Sequence, residues 1–199
     1  MGIPAGQRDD RRGGGTKRFT RVFWALDAEL AAARHYPSIN WMASYSGYIQ
    51  DLAEWWHKNV DKNWNSYREE AMRILQAEDD LKNIVKLVGP EALPDKQRLV
   101  LETARIIRIG LLQQNALDPI DTYCSPQKQF KMLKIIVDFY RLADRVLSKG
   151  APVIKVTQLP INDEILRMKA TIPNDKVKLL DDLETRMRQH FEELEASLR

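Results

Sequence analysis

Apolar residues recur at three- and four-residue steps along most of this chain, the spacing of helices that bury one face. Phe19, Val22, Phe23, Leu26 and Leu30 in "KRFTRVFWALDAELAAARH" fit that period. Alanine-rich "ELAAAR" adds strong helix propensity, and Pro37 is placed to stop the run. Two further helices are expected from about Tyr48 to Val60 and from about Trp64 to Val88. The second carries Met72, Leu75, Leu81, Ile84, Val85 and Val88 as its buried stripe. Gly89-Pro90 should end it, with glycine free to turn left-handed and proline unable to continue. The period resumes from about Pro94 to Gln114 through Leu99, Val100, Ile106, Ile107 and Leu111. After a connector, Ser125 and Pro126 read as N-cap and first residue of a long helix. That helix buries Phe130, Leu133, Ile136, Val137, Tyr140 and Leu147 and ends at Gly150.

Beyond Gly150 the pattern changes. "APVIKVTQLP" reads as an extended segment near 152–158, too solitary to build a sheet. Asn162 and Asn174 are candidate caps for two last helices. The final one carries Leu180, Leu183, Met187, Phe191, Leu194 and Leu198 along a narrow seam suited to packing on another helix. The fold class is therefore all-α: a helical bundle with one short extended segment. One stretch stands apart, "RHYPSINWMASYS" at residues 34–46, where His35, Tyr36, Trp41 and Tyr45 crowd around a proline. It reads as a binding site, a hinge or a buried turn.

Composition narrows the function. Of 199 residues, 44% are apolar and 30% charged, enough for a real core under a solvated surface. The net charge of +3 is too small to suggest a nucleic-acid partner, and basic and acidic residues alternate along the helices. No apolar run nears the roughly 18 residues of a membrane span, and no signal-like segment opens the chain. The single cysteine, Cys124, suits a reducing compartment. "MGIPAGQRDDRRGGG" has no period and reads as a flexible tail.

The common chemical motifs do not occur. Neither a G-x-x-x-x-G-K-[ST] loop nor a G-x-G-x-x-G is found. His35, His57 and His190 are scattered, without zinc spacing. Cys124 with a histidine could in principle form a nucleophile–base pair, but nothing in the sequence brings them together. Asp79-Asp80 and Asp181-Asp182 read as solvated helix faces. These residues alone assemble no active site.

Two long strings add a different kind of information. "TKRFTRVFWALDAELAAARHYPSINWMASYSGY" and "LLQQNALDPIDTYCSPQKQFKMLKIIVDFY" resemble, in order and separation, two blocks of the catalytic A subunit of archaeal and vacuolar-type rotary ATPases. The resemblance runs from about Thr16 to the C-terminus. It implies a flexible tail outside the family over 1–15, the end of a nucleotide-binding domain over 16–46, and a C-terminal helical domain over 47–199. The family's phosphate loop, general base and magnesium ligands belong to a central domain upstream, so this chain, as a fragment of the family's protein, should be inactive by itself. "QRDDRRGGG" departs from the acidic stretch that the family carries before "TKRF".

The resemblance also implies site residues. Tyr36, in its Tyr-Pro pair, matches the aromatic that lies against the adenine of bound ATP or ADP, which the complete protein holds with magnesium. Ala116 and Leu117 match the opposite wall, where the family usually has a phenylalanine in place of leucine; Trp41 and Tyr45 are then expected in the core. The turn "VGPEALPDKQR" matches a helical turn facing the central stalk and offers Glu91, Asp95, Lys96 and Arg98 as rotor contacts. The implied partners are the central-stalk subunits and the B subunit of a proton- or sodium-translocating machine, with no nucleic acid and no direct membrane insertion. Its implied place is cytoplasmic, peripheral to the membrane. The rival reading is a free-standing helical adaptor without catalytic activity.

Overall fold

The computed structural model describes residues 20–198. The expected tail over 1–15, and Phe19 with it, lie outside them. A two-stranded antiparallel sheet, β1 (Val22–Leu26) and β2 (Ile39–Ser46), brackets a short helix α1 (Ala28–Ala32). Then follow α2 (Ala53–Asn59), α3 (Trp64–Val88), α4 (Asp95–Ile107), α5 (Pro126–Ser148), α6 (Val153–Thr157), α7 (Ile161–Thr171) and α8 (Leu179–Ala196). Helix α4 runs on into a π-helical turn, Arg108–Leu112. The molecule is mainly helical, as expected.

The core lies around α5. Ile135, Ile136, Val137, Phe139, Ala143 and Val146 of that helix are essentially sealed from solvent. It meets α3, α4, α7 and α8 on different sides. Ser125 caps it by accepting the Lys128 amide at 3.3 Å, with Pro126 in the first turn. Gly150 after it and Gly89 after α3 both take positive φ, 95° and 79°, where a side chain would be strained. The seam of α8 is core: Leu180, Leu183, Met187 and Phe191 are buried, and Phe191 meets Phe139 edge-on at 5.4 Å.

Several expectations are corrected. Residues Val22–Leu26 are a strand, with burial alternating along it. Asp27 divides the expected first helix: its carboxylate accepts the Glu29 and Leu30 amides at 2.9 and 3.1 Å, so a helix starts only after it. That helix ends before Pro37 is reached. Arg34 is left-handed at φ 56°, and the His35 amide returns to the Leu30 carbonyl at 2.9 Å. "INWMASYS" is β2, held to β1 through a bulge where the Ser44 hydroxyl accepts the Ala25 amide at 3.0 Å. Helix α2 is shorter than its apolar spacing suggested.

The extended segment near 152–158 is also a helix, α6. Pro152 is extended, but the Asp95 carboxylate accepts the Val153 amide at 2.9 Å. Helical spacing then turns Val153 and Val156 together into the core. Asn162 does not cap its own helix; its amide nitrogen donates to the Val156 and Thr157 carbonyls, 2.9 Å each, closing α6 instead. Asn174 accepts the Ser125 amide at 3.0 Å and donates to the Tyr123 carbonyl at 2.8 Å, tying the connector before α5. On α3 the stripe gives out: Ile84 and Val88 are exposed, and Leu87 beside them is 85% exposed.

Charges knit three helices. Asp138 of α5 is buried, and it accepts from Tyr67 of α3 (3.1 Å), Lys134 (3.0 Å), Arg141 (3.1 Å) and Arg188 of α8 (3.1 Å). Glu184 of α8 joins Lys134 at 2.5 Å and Arg188 at 2.8 Å. Burial raises the Glu184 pKa, but the two cations outweigh it and hold the carboxyl below its ordinary value. A depressed carboxylate stabilises fully above its unfolded pKa, about 4.3, and loses that contribution as pH falls through the folded value. Glu184→Gln should therefore cost about 1 kcal/mol at neutral pH and flatten the acid limb of stability. Urea denaturation between pH 3 and 7 measures both.

Candidate functional site

Two loops meet at one end of α4. The first follows α1 and carries Arg34, Tyr36 and Pro37, with a cis Tyr36–Pro37 bond. The second leaves the π-helical turn and carries residues 113–122. A backbone hydrogen bond joins them, the Gln114 amide donating to the Tyr36 carbonyl at 2.7 Å. His35, buried behind Tyr36, brings Nε2 to 3.1 Å from the Arg108 carbonyl, the same oxygen that accepts the Gln113 amide at 2.8 Å. Glu78 of α3 pairs with Arg108 from the other side.

The loops enclose a groove of about 670 Å³ with Tyr36, Pro37, Ala116, Leu117, Asp121 and Thr122 on its walls. That volume suits a small molecule. Tyr36 is 56% exposed and Leu117 94% exposed, so apolar surface on both walls is open to a ligand. The structure thus brings together the three residues singled out for adenine contact.

The second loop is bonded to itself at several points. Asp118 accepts the Ile120 and Asp121 amides at 2.8 and 2.9 Å, and Asn115 accepts the Leu117 amide at 3.0 Å. Asp121, buried, accepts the Asn115 amide at 2.7 Å. Lys169, near the end of α7, donates to the Gln113 carbonyl and stands 3.8 Å from Asp121. Burial lowers the Lys169 pKa, with Asp121 opposing the shift. Beneath it Lys128, 1% exposed, donates to the Lys169 carbonyl at 2.7 Å. Neither Asp121 nor Lys169 stands out in the sequence. The Asn115, Asp118, Asp121 spacing of side chains that bond their own backbone was the available signal for the loop; nothing local marked Lys169.

Trp41 and Tyr45 are half-buried and not in the core. They line a separate cleft of about 330 Å³ between β2 and α3, with Trp24, Trp64 and Leu75.

The turn after α3 stands at the opposite end of α4, roughly 25 Å from the groove at 1.5 Å per residue. Glu91 is exposed in its short 3₁₀ turn, Pro90–Ala92. The other three also make contacts within the fold. Asp95 caps α6 and lies 4.0 Å from Arg98, and Lys96 pairs with Asp144 of α5 at 3.3 Å. Exposed Ile84, Leu87 and Val88 flank this turn.

The groove can hold a flat ring between an aromatic and an aliphatic wall. Among the described residues, no three His, Cys, Asp or Glu side chains stand together to hold a metal ion. No helix among them is long and apolar enough to cross a membrane.

Over residues 53–157 the sequence matches the family described as the C-terminal domain of V and A type ATP synthase. It is 51% identical over 181 residues to the A subunit of the A-type ATP synthase of Ignicoccus hospitalis, and 48% identical over 181 residues to that of Hyperthermus butylicus. Each match covers 90% of this chain and 30% of the relative. The corresponding protein of Pyrococcus abyssi is 46% identical over 179 residues, covering 90% of this chain and 17% of its own length. The chain thus spans less than a third of these curated relatives.

Cys124 is partly buried, with Sγ 3.7 Å from the Ser125 carbonyl. Burial pushes its thiol pKa up, Lys128 opposing and Asp121 adding to the rise. Since the thiolate is the reactive form, Cys124 in the folded protein should react with iodoacetamide at pH 7.5 far more slowly than after unfolding in urea. Mass spectrometry of timed samples reads the difference.

Proposed function

The chain belongs to the family of the C-terminal domain of V and A type ATP synthase, and we propose that it works as the C-terminal part of the longer catalytic A subunit of a rotary ATP synthase. In that setting it supplies adenine contacts at one end of α4 and stalk contacts at the other, while ATP synthesis or hydrolysis and its magnesium belong to residues outside this segment. Its partners would be the central-stalk subunits and the B subunit. Its place would be cytoplasmic, peripheral to the membrane through the assembled ion-translocating machine. The division at residues 15/16 and 46/47 follows the same reading, with the β1–β2 hairpin as the end of the nucleotide-binding domain.

One observation carries the adenine assignment: Tyr36 and the Ala116-Leu117 pair, far apart in sequence, line one groove and are pinned by the Gln114–Tyr36 backbone bond. An exposed tyrosine ring can stack on a base without demanding a particular hydrogen bond. Leu117 offers apolar contact on the other side but no stacking. Similarity over 90% of the chain to the A subunit of A-type ATP synthases supports this reading over a free-standing adaptor.

The stalk assignment centres on Glu91, with the exposed Ile84, Leu87 and Val88 beside it. Asp95 caps α6 and would steady the turn, while Lys96 and Arg98 stand beside it in partly exposed ion pairs that a stalk subunit could replace. A stiff turn fastened to α5 and α6 transmits force as a body.

Base stacking on an aromatic contributes about 1–3 kcal/mol. Tyr36→Ala in the complete protein, assembled with its partner, should weaken ATP binding roughly five- to a hundred-fold, and Tyr36→Phe should change it little. Leu117→Phe should leave affinity equal or tighter. Titration with ATP tests all three; unchanged affinity in Tyr36→Ala would defeat the adenine assignment. Glu91→Lys in the assembled complex should alter torque or stalk affinity and leave nucleotide affinity unchanged, as single-molecule rotation and the same titration would report.

A further inference from the structure

We propose that Lys169 is a positioning residue for the groove: with Asp121 it braces the loop of residues 113–122, so that Ala116 and Leu117 are held in place before a nucleotide base arrives. The inference rests on the adenine reading above and adds the residues that prepare the site.

The geometry is specific. Lys169 sits near the end of α7, in its last turn. Its ammonium donates to the Gln113 carbonyl, where the chain leaves the π-helical turn. It also faces the Asp121 carboxylate at 3.8 Å. Asp121 in turn holds the Asn115 amide at 2.7 Å. One cation thus fastens both stems of the loop that carries Leu117. The side chains are only 13% and 6% exposed, so neither partner has water as an easy substitute. A buried charge that loses its partner is costly, so the pair resists opening. Lys128 holds the Lys169 carbonyl from below at 2.7 Å, anchoring the brace to α5.

A pre-formed wall spares the ligand the cost of ordering the loop. Leu117 needs this most, because it is 94% exposed and no packing contact fixes it from outside. The stiffness comes from beneath, through backbone groups.

The test uses Lys169→Met, which keeps the apolar stem, and Lys169→Arg, which keeps the charge. Asp121→Asn is a second route should Lys169→Met fail to fold. In the 199-residue chain, amide hydrogen exchange of residues 113–122 should quicken in Lys169→Met while α5 and α8 keep their protection, and Lys169→Arg should restore it. In the complete protein, Lys169→Met should raise the Kd for ATP on the order of tenfold. KM should rise with kcat nearly constant, and Lys169→Arg should recover most of the affinity. Unchanged loop exchange in both Lys169→Met and Asp121→Asn would overturn the proposal. So would a loosened loop with unaltered ATP affinity in a protein where Tyr36→Ala does weaken binding. If Tyr36→Ala has no effect either, the adenine reading itself has failed.

Discussion

Helix α5 packs against four other helices, and each polar group it buries has to be answered by a neighbour. Asp138 and Lys128 are the extreme cases. Asp138 draws Tyr67 from α3 and Arg188 from α8 onto one carboxylate, with Lys134 and Arg141 of α5 closing the remaining positions. Lys128 at the other end reaches the Lys169 carbonyl of α7. Burying a charge is costly unless it is paired and hydrogen-bonded, so these contacts restrict how α3, α7 and α8 can lie around α5. Apolar packing drives the helices together; the charges select one arrangement.

That arrangement reaches the surface at both ends of α4. At its start, Asp95 caps α6 and Lys96 reaches α5, so the turn after α3 is stiff although it stands in solvent. At its finish, the π-helical turn presents the Arg108 carbonyl to His35 and the Gln113 amide, while Glu78 holds the Arg108 side chain. A π turn admits an extra residue and turns backbone groups away from the regular ladder. Here this lets one carbonyl serve both the helix end and the loop between α1 and β2. The groove and the turn are thus opposite ends of one helical element.

Much of the bundle was legible in the sequence, because burial of one helix face imposes a period that needs no partner to be recognised. The stripes of α5 and α8, the Ser125-Pro126 start and the Gly89 and Gly150 stops follow from local geometry alone. The groove was legible only through resemblance. Tyr36 and Leu117 carry no mark that would pair them, and Lys169 looks like any surface lysine in "RMKAT".

What the tertiary structure decided lies where local preference was ambiguous. "VFWAL" fits a helix or a strand by spacing. It became a strand because β2 offers a partner and because the Asp27 carboxylate is better used starting α1 than extending a helix through itself. "VIKVT" has the β-branched composition of a strand, yet it pairs with no strand among the described residues, while the Asp95 carboxylate and the Asn162 amide satisfy both ends of a helical turn. Backbone groups must be bonded wherever they are buried. A sequence states which residues must leave water, but which backbone groups find partners there depends on what the rest of the chain brings to them.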